Sequence, residues 1–304
     1  MKTRSKVVRA ALGLMCVALL SAGARTADPS KPASTLKRRV AIAPFGVTAP
    51  GLAGGQSEAV GRISTGLLAG RLKTAGGFLL VDKSNNHALA DACDSVACHL
   101  SLLKTGAEYM IAGTVVKLYC KDSLSRAHHG LPPMAEAVVS LRMVDVPSGT
   151  VIYSGQAHGE AAATAAAASP SRRPGADRRI MGLEPSLAEG AIDKALAPLV
   201  DAAIAKCIAL PWTAYIISSD AGAYILSCGA VQGIRTGDRF AVYQYSQHAH
   251  NAPAKGSGHP VGVMEIGMTV GSRGTDRDAV SVGQMINGSL DPAALDQYYL
   301  ALLR

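Results

Sequence analysis

Residues 106–160 constrain the fold of this chain more than any other stretch. They read GAEYMIAGTVVKLY, then a polar insert, then AVVSLRMVDVPSGTVIYSGQAHGE. An apolar run after Gly106-Ala107-Glu108 leads into two alternating runs joined at Val146-Pro147-Ser148-Gly149-Thr150. Alternation at period two marks half-buried strands. Pro, Ser and Gly between them mark a tight hairpin. An antiparallel meander is expected here.

The segment before the meander predicts β-α-β-α. Residues 39–45 (RVAIAPF) read as a buried strand. After a Gly/Pro loop over 48–55, Val60, Ile63, Leu67, Leu68 and Leu72 recur at helical spacing, and Gly76-Gly77 stops the helix. A strand over 78–82 and a second helix over 95–104 follow, the latter with Val96, Leu100 and Leu103 inward. Residues 161–185 are Ala-rich, then basic, and read as a mobile insert. A long amphipathic helix follows, from Leu187 through Leu196 and Val200 to Ile204, which Pro198 is expected to kink or divide.

Beyond Pro211, short apolar runs alternate with Gly and Asp turns, at 213–218, 223–227, 239–245, 261–270 and 279–285. Even spacing of short strands predicts a small all-β barrel or sandwich. Residues 290–303 read as a short helix. The expected fold class is therefore α+β, a β-α-β-α-β-β-β-α domain followed by a small β domain. Its divisions are a signal peptide at 1–24, a linker at 25–37, the α/β-like domain at 38–209, the β domain at 210–290 and a tail at 291–304. A fragment starting near Leu210 is expected to fold alone, since each domain should own a core.

The first 24 residues have the form of a secretory signal. Lys2, Arg4, Lys6 and Arg9 precede an apolar core, and Ala22-Gly23-Ala24 gives the small-x-small cleavage pattern, so the mature chain should start at Arg25. Cys16 follows Met15 inside the apolar core, a poor lipidation site. Four of the 30 basic residues lie in the signal and none of the 22 acidic ones, leaving a mature excess of +4. That mild charge does not call for nucleic acid. Export makes the compartment disulfide-permissive. Cys93 and Cys98 are the disulfide candidates; two unpaired thiols, or metal binding with His99, are the alternatives. The pairing of Cys120, Cys207 and Cys228 stays open.

The first domain resembles the curli-secretion (CsgG-type) family and its relatives, which share a TolB-type amino-terminal fold. The matching blocks are RRVAIAPFGV (38–47), GLLAGRLKTAGGFLLVDKSN (66–85), GAEYMIAGTVVK (106–117) and AVVSLRMVDVPSGTVIYSGQAHGE (137–160). The second domain resembles the carboxy-terminal β module of flagellar H-ring assembly proteins, through ILSCGAVQGIRTGDRFAVYQ (225–244) and VGVMEIGMTV (261–270). The resemblance implies a periplasmic assembly or secretion component. Curli channels insert β-hairpins into the outer membrane, and such strands alternate over roughly 10 residues with an apolar face. Here the corresponding inserts carry Lys121, Asp122 and Arg126, then Arg172, Arg173, Arg178 and Arg179, with prolines in both. No membrane-spanning strand is expected.

No catalytic signature is convincing. Ser34-Thr35-Leu36-Lys37, Ser84-Asn85-Asn86 and Lys104-Thr105-Gly106 mimic the order of serine acyl enzymes, but Ser34 lies in the linker and Lys104 ends a helix. His128, His129, His248, His250 and His259 fall in polar loops without supporting ligands. The expectation is no enzyme activity, no cofactor and no metal. Arg172, Arg173, Arg178 and Arg179 are a candidate contact to an anionic surface; a solvated loop is the alternative. The expected partners are envelope proteins, a homo-oligomeric ring, or peptidoglycan and the outer-membrane periphery. The leading function is periplasmic envelope assembly or secretion without own membrane hairpins. The alternative is a binding or scaffold module acting on a peptidoglycan synthase or a flagellar ring; a hydrolase ranks third.

Overall fold

The computed structural model describes residues 36–81, 106–120, 132–146, 149–163, 185–244, 260–270 and 280–303. The chain enters at β1 (Arg38–Ile42) and passes a short β2 (Gly46–Val47) to α1 (Gly54–Thr74) and β3 (Phe78–Leu80). The meander then forms as β4 (Tyr109–Cys120), β5 (Met134–Asp145) and β6 (Val151–Ala162), followed by α2 (Pro185–Ala209). The sheet order is β3-β1-β4-β5-β6, with β2 beside β4. β1 pairs in parallel with β3 and β4, whereas β4, β5 and β6 are antiparallel.

Both helices lie on one face of this sheet. Strand β5 alternates strictly, with Ala135, Ala137, Val139, Leu141 and Met143 buried and the residues between them partly exposed. Helix α2 descends closely because β6 turns small residues toward it. A Cβ on Gly159 would stand 2.2 Å from the Ala191 carbonyl oxygen and 2.4 Å from the Ala195 nitrogen. The facing side of α2 is equally small, with Ala188, Ala191, Ala195 and Ala203 buried. Pro198 does not divide α2, which runs unbroken through it. One lost backbone hydrogen bond is outweighed there by the buried Leu196, Leu199 and Val200 around it.

The carboxy-terminal region is a closed six-stranded barrel. Its strands are β7 (Thr213–Asp220), β8 (Ala223–Leu226), β9 (Arg239–Gln244), β10 (Gly262–Val270), β11 (Val280–Gly288) and β12 (Tyr298–Leu302), ordered β10-β11-β8-β7-β12-β9. Its interior is apolar, filled by Trp212, Leu226, Phe240, Met264, Ile266 and Leu300. The short helix expected over 290–303 is corrected. Only a 3-10 turn, Pro292–Gln297, remains, and Tyr298–Leu302 becomes the strand that closes the barrel between β7 and β9. Four consecutive residues of β12 are buried, which a strand covered on both faces allows.

The molecule is thus mixed α+β and mostly β, with a barrel rather than a sandwich. The described residues all fall within one compact unit. Among the described residues, no helix is long and apolar enough to cross a membrane.

Candidate functional site

The first group of interest is the junction where the sheet meets the barrel. All four buried charged residues among those described gather there: Arg38, Arg39, Glu108 and Asp145. Arg38 starts β1, and its guanidinium donates to the Tyr109 hydroxyl at 2.9 Å. It also donates to the Leu210 and Pro211 carbonyls that lead into the barrel. Glu108 Oε2 lies 3.8 Å from Arg38, and Oε1 accepts from the Arg39 backbone N–H at 3.3 Å. From the barrel side, the Trp212 indole donates to the Lys37 carbonyl at 3.2 Å, and the Lys37 N–H donates to the Gln232 carbonyl at 2.9 Å.

The Gly106-Ala107-Glu108 block acquires a physical role in this junction. Gly106 has φ +70°, and a Cβ there would meet Arg39 Nη1 at 2.7 Å and the Ser227 carbonyl at 3.3 Å. Only glycine allows the chain to pass between sheet and barrel at that point. Two barrel residues feel the sheet's carboxylates. Burial pushes the Tyr215 phenol well up, and Asp145 adds to this more than Glu108 does. Burial pushes the Cys228 thiol up to about 12, with Glu108 adding to the effect.

The second group lies on the sheet face opposite the helices. Adjacent strands place residues in rows across this face: Tyr119–Glu136–Glu160, then Lys117–Val138–His158, then Thr114–Ser140–Gln156. His158 Nε2 stands 2.7 Å from Glu136 Oε1 and 3.8 Å from Glu160 Oε1. One donor atom from each of the three lies within 4.8 Å of the others, so this trio could hold a metal ion.

A third feature is a groove of about 560 Å³ between α1 and α2, lined by Gly66, Gly70, Thr74, Val200, Asp201 and Ile204 among others. Arg71 crosses it in a forked contact to Asp193, with Nε to Oδ1 at 2.8 Å and Nη2 to Oδ2 at 2.7 Å.

Cys93, Cys98, Arg172, Arg173, Arg178 and Arg179 lie outside the described residues, as do the five loop histidines. Cys207 is buried in the helix-covered core, and Cys228 is a buried free thiol. Sequence reasoning passed over the junction charges and the Glu136–His158–Glu160 trio. The signal for the trio was present. His158-Gly159-Glu160 on a strand puts both polar residues on one face, and the hairpin register then sets Glu136 opposite Glu160.

No protein-family model matches this chain, and no curated protein matches it. Among solved structures it is similar to the hypothetical protein CT253 from Chlamydia trachomatis, with 17% identity, 57% of this chain and 96% of that chain covered, and a TM-score of 0.37. It is similar to lipoprotein GNA1162 from Neisseria meningitidis, with 14% identity, 42% and 88% covered, and a TM-score of 0.33. It is also similar to the PelC dodecamer from Paraburkholderia phytofirmans, with 19% identity, 55% and 91% covered, and a TM-score of 0.31. At these identities and TM-scores, nothing about activity or partners passes to this chain, and the curli-secretion and H-ring resemblances rest on the sequence motifs alone.

Proposed function

We propose that this protein is an exported, non-catalytic module that binds or scaffolds partners in the cell envelope. The observation that carries the reading is the junction. Arg38, with Glu108 beside it, ties β1 to the Leu210 and Pro211 carbonyls that lead into the barrel, and Trp212 ties the barrel to Lys37, as a module presenting surfaces at fixed spacing requires. The secretory pattern of residues 1–24 supplies the compartment. The finer form is an assembly or secretion component of the curli-secretion type that relies on partners, or on a ring of its own copies, in place of its own hairpins. The charges and prolines of the two inserts support this, with Lys121, Asp122 and Arg126 in one and Arg172, Arg173, Arg178 and Arg179 in the other, because a lipid-facing strand needs an apolar face.

The test places a photo-crosslinking residue at Ser154 or at Gln156, both exposed on the open face of β6, and irradiates intact cells. A discrete adduct with an envelope protein, or with a second copy, is the expected result. Amino-terminal sequencing of the same material should begin at Arg25. Uncleaved protein in the cytosol, or the absence of any adduct from either position, would refute the proposal. Capture of a peptidoglycan synthase or a flagellar ring component would favour the scaffold form over the secretion form.

A further inference from the structure

We infer that Glu136, His158 and Glu160 form a binding site for a divalent transition metal of the zinc type on the open face of the sheet. Glu136 and Glu160 are directly paired across β5 and β6, and like charges at such positions oppose strand pairing. A cation held between the two carboxylates would relieve this repulsion. His158, two residues before Glu160 and on the same face, sits at that place, with Nε2 2.7 Å from one carboxylate and 3.8 Å from the other.

His158 Nε2 lies between the two carboxylates, nearer to Glu136 than to Glu160. A metal ion accepts all three donors at once. The donor atoms already lie within 4.8 Å of one another, and rotation of the partly exposed carboxylates closes the remainder. One imidazole nitrogen with two carboxylate oxygens suits zinc and its neighbours better than calcium or magnesium, which take oxygen ligands in larger number. His158 is 46% exposed and Glu160 38%, so a further coordination position would face water.

The strand bearing two of the ligands is also held from behind. Gly159, between His158 and Glu160, packs against the backbone of α2 at Ala191 and Ala195. The two side chains therefore project from a fixed stretch of backbone, and rigid support of this kind favours a metal site. Lys117 lies in the same row as His158, and its positive charge would weaken metal binding by repulsion.

The test uses tag-free, chelator-treated mature protein and zinc chloride alone, followed by calorimetry and by thermal unfolding. Saturable binding of one ion is expected, together with a melting temperature that rises with zinc concentration. His158→Ala and the double variant Glu136→Gln/Glu160→Gln should each weaken binding by at least the roughly tenfold to hundredfold that loss of a supporting partner costs, and should lose the thermal shift. His158→Gln serves as a second variant if His158→Ala changes the circular dichroism. Lys117→Met should bind zinc at least as tightly as the parent. Absence of saturable binding in the parent protein would overturn the site. So would parent-like affinity in the double variant, which would place the ion on histidines elsewhere in the chain.

Discussion

Cys228 and Tyr215 keep their protons inside the junction because burial beside Glu108 and Asp145 disfavours two further negative charges. In the unfolded chain the thiol ionises near pH 9 and the phenol near pH 10. In the fold both values are raised, so each group contributes stability that is fully present below its unfolded value and lost as pH rises toward its folded one. Unfolding free energy should therefore fall between about pH 9 and pH 12, and Cys228→Ala should remove the earliest part of that fall. Urea titrations across the range check this, and a flat profile would contradict the buried thiol. Little of this was legible in the sequence. A basic pair at a strand start reads as a solvated end. Its burial depends on a carboxylate 69 residues away that the sheet brings alongside.

At the scale of elements, the contact between β6 and α2 is set by the absence of side chains. Gly159→Ala must push Ala191 or Ala195 aside and should destabilise by about 1–3 kcal/mol, as overpacking does. Gly70→Ala, on the exposed side of α1 with nothing within 4 Å of the new methyl, should stabilise by about 0.5–1 kcal/mol. Opposite signs in denaturant melts would confirm that packing against α2, rather than glycine content, governs this layer. The strands themselves were plain in the sequence, because alternation is a local signal and VVSLRMVD repeats it without a break. The tail was misjudged. Its apolar run Tyr298–Leu302 has no polar alternation, and only the gap between β7 and β9 makes it a strand.

At the scale of the whole molecule, the junction couples two hydrophobic cores. The chain has a single tryptophan, Trp212, packed in the barrel against Phe240. Its fluorescence reports the barrel, while the far-ultraviolet helical signal reports α1 and α2. The two should change together in urea, because the buried charges tie the lobes. Glu108→Ala removes the carboxylate facing the buried Arg38 guanidinium, a loss of about 3–5 kcal/mol, and should separate the transitions. Transitions already separate in the parent would show that the lobes unfold independently. The sequence by itself determined the strands of the meander, helices α1 and α2 and the short-strand texture of the second half, since each is written in the spacing of neighbouring residues; the helix expected over 95–104 and the signal at 1–24 lie outside the described residues. The tertiary structure alone decided that the second half closes into a barrel, that Arg38, Arg39, Glu108 and Asp145 meet in its shadow, and that Glu136 faces Glu160 beside His158. Those outcomes depend on register and on contacts between residues far apart in the chain, and local periodicity carries no record of them.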